Sequence, residues 1–232
     1  MSVSDTKTRN TERISVQVGL NGYSFKVYGD GGTESSDWRD LSTVFSVPQL
    51  QRRYEVAEVS VFTPKVTLVP RDFHSLENER ELLSSVAELA PGDRVASVEL
   101  PWLGAVMVYS PDAGENLSSA VASGLLKTDG SKAEVYPEAY YMLKDVACLD
   151  TYNKIVCSWC DGILYLVIAQ GRTLLLYNSY SAPDFTSAEY FIFNALKKLQ
   201  LNPEMSSVYF RTPLRQEDEM SLYRYFRSVE RI

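Results

Sequence analysis

Cys157 and Cys160 form a C-x-x-C pair inside CSWCDGILYLVIAQGR, residues 157–172. A vicinal dithiol or half of a zinc site is the chemistry such a pair could do. Redox pairs normally open a helix, whose N-terminus lowers a thiol pKa. Here the flanking pattern is that of a β-strand, where positions i and i+3 point to opposite faces. A zinc site would need two further ligands, and the other cysteine and histidine residues are Cys148 and His74. The pair is therefore expected to be two half-buried strand residues. His74 follows Arg71-Asp72-Phe73 near a predicted helix start, with no nucleophile or orienting partner at a useful spacing. It is expected on an exposed loop. Glu77, Glu79 and Glu81, and later Glu217-Asp218-Glu219, fall in first helical turns. They read as solvated acids facing the helix dipole. No catalytic residue and no metal site is predicted.

Asn21-Gly22 and Asp161-Gly162 remain, and each lies between strand patterns. Both dipeptides tolerate φ > 0 and predict tight hairpin turns. In the first, Ile14, Val16 and Val18 alternate with Ser15 and Gln17, and Tyr23, Phe25 and Val27 continue the period of two. GDGG at 29–32 predicts a second turn. In the second, strands are expected over 154–160, 163–169 and 173–180, with Gln170-Gly171-Arg172 between the last two. Further strands are expected over 54–62, 66–69, 96–100, 105–109, 133–136 and 208–211. Helices are expected over 75–89, 116–126, 137–149, from a T-S-A-E capping box at 186–189, and over 217–228.

Bulk properties narrow the function classes. Hydrophobic content of 45% and charged content of 23% are ordinary globular values, and 232 residues allow one large or two small domains. A formal charge of −7 without a cluster of cations disfavours nucleic acid. Three cysteines make no secreted disulfide framework. The polar opening MSVSDTKTRNTER has no signal-peptide core, and the longest apolar run, 163–169, is too short to span a bilayer. A cytoplasmic protein with a disordered tail over 1–12 is expected. Most of the 15 tyrosines lie in the second half. Tyr223 and Tyr225 are candidates for a protein-contact or self-association surface, because tyrosine pairs an apolar ring with a wet hydroxyl.

The two hairpin regions repeat one pattern: strand, Asx-Gly, strand, Gly turn. Such an echo predicts a pseudo-symmetric α/β chain. On RISVQVGLNGYSF (13–25), FTPKVTLVPRDF (62–73), GRTLLLYNSY (171–180), DFTSAEYFIFNALKKLQLNPE (184–204) and LYRYFRSVERI (222–232), the chain resembles domain-of-unknown-function family 3822 of Bacteroidetes proteins. That family in turn is similar in fold to the actin-like ATPases. The resemblance implies a duplicated ribonuclease-H-like fold, α/β with mixed sheets and flanking helices. A first subdomain over 13–148 and a second over 149–232 are expected.

It also implies a test of function. Actin-like ATPases hold nucleotide between their halves, with a carboxylate ahead of each phosphate-binding turn to hold Mg²⁺ and its waters. Placing Gly22 and Gly162 at the last turn glycine puts Val18 and Ser158 at the acid positions, and Leu20 and Cys160 at the middle glycines. The adenosine-binding Gly-Gly after a late strand is replaced by Thr212-Pro213-Leu214. The expectation is a non-catalytic protein without cofactor that acts through protein contacts, and that enters no membrane. The alternative is a divergent nucleotide-binding ATPase with ATP and Mg²⁺ between the subdomains. In either case Asn21, Gly22, Asp161 and Gly162 are expected to line the cleft.

Overall fold

The computed structural model describes residues 12–29, 31–111 and 115–232. The tail expected over 1–12 thus falls, up to residue 11, outside the described residues, as do Asp30 of the GDGG turn and residues 112–114. The chain opens with β1 (Arg13–Val18), β2 (Tyr23–Gly29) and β3 (Gly32–Ser35), followed by β4 (Val56–Val61). An excursion follows: β5 (Val66–Pro70), α1 (Glu79–Ser84), β6 (Ala96–Leu100) and β7 (Ala105–Tyr109). Then come α2 (Glu115–Gly124), β8 (Glu134–Pro137) and α3 (Glu138–Cys148). The second half runs β9 (Asn153–Cys160), β10 (Ile163–Gln170), β11 (Thr173–Ser181), α4 (Phe185–Lys198), β12 (Ser207–Phe210), α5 (Gln216–Leu222) and β13 (Ser228–Arg231).

Two five-stranded sheets share one plan. Their orders are β3-β2-β1-β4-β8 and β11-β10-β9-β12-β13, an antiparallel meander followed by two parallel strands. The expected duplicated, ribonuclease-H-like α/β architecture is therefore present. The alternation in the sequence explains which faces are buried. Ile14, Val16, Val18, Phe25, Ala57 and Val59 pack with Val121 and Leu125 of the α2 region. In the second sheet Ile155, Cys157, Leu164, Leu166 and Ile168 pack under α4. The opposite face of that sheet, with Val156, Tyr165 and Val167, packs on Met142, Leu143 and Val146 of α3. The excursion forms a three-stranded antiparallel sheet, order β5-β7-β6, whose Val66, Leu100 and Met107 join that same core. No helix among the described residues is long and apolar enough to cross a membrane.

Several elements differ from the sequence reading. β3 was hidden by its exposed residues Gly-Thr-Glu-Ser, which carry no apolar alternation. The helix expected over 75–89 is only α1, because the Ser84 and Ser85 hydroxyls bond back to the carbonyls of Glu81 and Leu82 at its end. α4 is capped two residues earlier than the T-S-A-E reading placed it: Asp184 Oδ1 accepts from Ser187 N at 2.7 Å. The helix expected over 217–228 stops at Leu222 and residues from Ser228 become β13. Leu222, Phe226 and Val229 have helical spacing, yet all three reach the core because β12 offers a strand edge to pair with. His74 is not a free loop residue. Its Nε2 lies 2.8 Å from Glu79 Oε1, with side chains 16% and 11% exposed. Glu79 is correspondingly a buried partner rather than a solvated acid.

Candidate functional site

The register of the two hairpins fixes what lies where. β1 and β2 pair Val18 with Tyr23, and Gly19 N donates to Gly22 O at 2.9 Å, so the loop residues are Leu20 and Asn21. In the second hairpin Cys160 pairs with Ile163, and the loop is Asp161-Gly162, at φ 50° and 74°. This is the left-handed two-residue turn expected there. Asn21 and Gly22, by contrast, are not among the residues with positive φ. The structural equivalent of Gly162 is therefore Asn21, not Gly22. The register shifts by one, and the residue matching Ser158 becomes Gln17, while Val18 points into the opposite core. Because side chains alternate along a strand, a one-residue slip changes the face entirely.

Gln17 and Ser158 indeed meet. Gln17 Nε2 and Ser158 Oγ each donate to Glu138 Oε1 at 2.6 Å, and Arg211 Nε donates to the same oxygen at 2.8 Å. Ser24 Oγ donates to Gln17 Oε1 at 3.1 Å, and Arg211 also pairs with Asp145. Glu138 and Ser158 are fully buried. Burial pulls Arg211 toward deprotonation, but Asp145 and Glu138 outweigh it and hold its pKa above the ordinary arginine value. The floor between the two sheets is thus a network hung on one oxygen, Oε1, of a carboxylate in the first turn of α3, whose Oε2 is buried without a hydrogen-bond partner.

Above that floor the two turns touch. Leu20 N donates to Asp161 Oδ2 at 2.8 Å, and Asn21 Nδ2 to Asp161 Oδ1 at 3.1 Å. Gly19 permits the approach: a Cβ there would meet Cys160 Sγ at 2.8 Å and Asp161 Oδ2 at 2.9 Å. Gly22 packs as tightly on its other side, where a Cβ would lie 2.8 Å from Arg39 O. Asn21, Gly22, Asp161 and Gly162 all line one open cleft of about 610 Å³. Trp38, Arg39, Asp40, Trp159, Pro183 and Arg215, which sequence reasoning did not single out, form further walls, with Pro213 and with Asp218, which is buried rather than a solvated acid. They come from four separate stretches, 38–40, 159, 183 and 213–218, and no local signal joins them.

Each carboxylate in this cleft is already engaged. Asp161 holds Leu20 and Asn21. Asp40 accepts from Ser42 N at 2.8 Å, and that bond to Ser42 lowers its pKa. Asp218 takes Arg215 bidentately at 2.8 and 2.9 Å. Among the described residues no group of three or more His, Cys, Asp or Glu side chains converges as a metal site would. Cys157 and Cys160 point to opposite faces: Cys157 lies in the α4 core, and Cys160 faces the cleft. Burial pushes both thiols well above the ordinary range, and the nearby Asp161 carboxylate adds to the effect at Cys160. All three cysteines are free.

Tyr223 and Tyr225 lie beyond α5, 47% and 52% exposed. Tyr223 Oη donates to Val229 O at 2.9 Å, and the Tyr225 ring meets Phe193 edge-on at 5.0 Å.

Among solved structures, a Bacteroides thetaiotaomicron protein with an actin-like ATPase fold and unknown function is similar over 100% of this chain and 94% of its own, at 15% identity and a TM-score of 0.64. Lower similarity is found to the cytoplasmic domain of EpsL, an inner membrane component of the type II secretion system of Vibrio cholerae. That match has 13% identity, covers 89% of this chain and 83% of that one, and has a TM-score of 0.47. The PilM–PilN type IV pilus biogenesis complex matches at 14% identity over 95% and 88%, with a TM-score of 0.49. No curated protein matches the sequence. The fold is that of the actin-like ATPases, and the family profile "Protein of unknown function (DUF3822)" matches residues 33–229: the chain belongs to the DUF3822 family.

Proposed function

We propose that this chain is a non-catalytic member of the actin-like fold that acts through contacts with other proteins. One observation carries the reading: the Asp161 carboxylate fills the space between the two hairpin turns, taking the Leu20 N–H and the Asn21 amide that a phosphate would need. An internal anion there competes with any external one. The residues in the carboxylate positions, Gln17 and Ser158, are turned into the Glu138 network. A net charge of −7 favours a protein over a nucleic acid as partner. Three free cysteines suit a reducing, cytoplasmic setting.

A divergent nucleotide-binding ATPase is the second reading, favoured by the roughly 610 Å³ cleft that both turns line. Thermal unfolding with and without Mg²⁺·ATP separates the two. A ligand at 100 times its Kd adds about 2.7 kcal/mol of stability. The non-catalytic reading expects no shift. A saturable rise that disappears in Asp161→Ala overturns it in favour of the ATPase.

A further inference from the structure

Among the described residues six charged side chains are buried: Glu58, Glu79, Glu138, Lys154, Arg211 and Asp218. All but one have a partner of the opposite type at ion-pair distance. Glu58 has Arg13 and Lys144, Glu79 has His74, Glu138 and Arg211 have each other, and Asp218 has Arg215. Lys154, the second residue of β9 and 6% exposed, has no carboxylate partner. Its Nζ donates to Val146 O at 3.0 Å. That carbonyl lies in the last turn of α3, where the helix itself offers no donor. Lys154 thus caps α3 and meets the partial negative charge of the helix end. The bond uses one of three ammonium donors and supplies no counter-ion. A buried charge left so is costly unless an anion joins it.

The same lysine lines a cavity of about 300 Å³. Trp102 and Leu103, from the turn between β6 and β7, Leu143 and Val146 of α3, and Ala169 and Leu174 of β10 and β11 make its walls apolar. Arg172, on the turn between β10 and β11, is the second cation of the lining, and no acidic residue takes part in it. Trp102, Ala147 and Arg172 are exposed, so solvent reaches the cavity. It shares no lining residue with the cleft between the hairpin turns.

We propose that this cavity binds a small apolar monocarboxylate, whose carboxylate meets the Lys154 ammonium and whose hydrocarbon part meets the apolar walls. The site goes beyond the protein-contact reading and does not depend on it. The chemistry of the lining selects the ligand. Two spare N–H donors suit the two oxygens of a carboxylate. One buried ammonium neutralises one negative charge, which a phosphate monoester exceeds. A polyol would bury hydroxyls against walls that cannot pair them. At about 30 Å³ for each water-sized group, the volume holds about ten heavy atoms.

The test uses the full chain with 3-phenylpropanoate as probe and neutral 3-phenylpropanamide as its uncharged counterpart, followed by amide and indole NMR. The acid should bind saturably, shifting the Trp102 indole and the Gly171 amide and leaving the Gly22 and Gly162 amides unmoved. The neutral amide should bind about tenfold more weakly or worse. Lys154→Met keeps an unbranched apolar stem without the charge, and should bind the acid about tenfold more weakly than wild type. That change also uncaps α3, but the wild-type preference for acid over amide needs no variant, so the test stands if Lys154→Met does not fold. Arg172→Gln should keep the preference, because Arg172 is exposed and Lys154 is not. The proposal is overturned by unshifted Trp102 and Gly171 signals, by equal affinity for acid and amide, or by full affinity for the acid in a folded Lys154→Met. Loss of the preference in Arg172→Gln also overturns it, by placing the anion on the surface. Tighter binding of phenyl phosphate than of 3-phenylpropanoate does so as well, by assigning the site to a dianion.

Discussion

The Leu20 amide and the Asp161 carboxylate are joined by a 2.8 Å hydrogen bond across 141 residues of sequence, turn to turn. The first hairpin turn and the second are thereby tied to each other at the edge of the cleft that both line.

Removing that contact should loosen the hairpins without unfolding the chain. Asp161→Ala loses both acceptor oxygens and puts a residue less tolerant of φ 50° in the turn, which should lower stability by about 1–3 kcal/mol in urea titration. Asp161→Asn keeps one oxygen and tolerates the left-handed turn, and should lose less. Faster hydrogen exchange at the Leu20 amide in both variants is the direct reading, and an unchanged rate would show that the contact is not made in solution.

Glu138 should matter far more. Its replacement by alanine leaves Gln17 Nε2, Ser158 Oγ and the Nε of a buried Arg211 without their acceptor. Breaking a buried, hydrogen-bonded charge in this way costs about 3–5 kcal/mol. Glu138→Gln preserves the shape and one acceptor and should fall between alanine and wild type. Equal denaturation midpoints for all three would contradict the network.

Asp184 gives a pH dependence whose sign follows from its shift. Its pKa is lowered from 3.8 by the backbone and side chain of Ser187 at the start of α4. A depressed carboxylate stabilises the fold above its unfolded value, and that contribution fades as pH falls through the lower, folded value. Wild type should therefore be more stable than Asp184→Ala at neutral pH, with the gap closing as pH drops below about 3.8. A gap that widens on acidification would reverse the assignment.

The cysteines should react unequally. Cys148 is exposed, while Cys157 and Cys160 are buried and their thiols are held protonated by desolvation. Native-state alkylation read by mass spectrometry should add one label rapidly, and the other two only on unfolding. A disulfide between Cys157 and Cys160 under mild oxidation would revive the redox reading.

Much of the fold was legible because its signals are local. The period-two alternation of Ile14, Val16 and Val18, the Asp161-Gly162 turn and the helical spacing of Ile192, Ala195 and Leu196 each state which face a segment buries. The echo of two such hairpins pointed to a pseudo-symmetric α/β chain, and the family resemblance supplied the duplicated ribonuclease-H-like fold. What the tertiary structure decided is pairing across distance. It slid the first loop one residue to Leu20-Asn21, and so exchanged Val18 for Gln17 at the cleft floor. Ser228–Arg231 became a strand because β12 had an edge to fill. The cleft carboxylates found their partners inside the molecule, Asp161 on one turn satisfied by the other. Local sequence sets the conformations a segment can adopt. Which hydrogen-bonding group meets which is settled only when the two halves close together and every buried donor must find an acceptor.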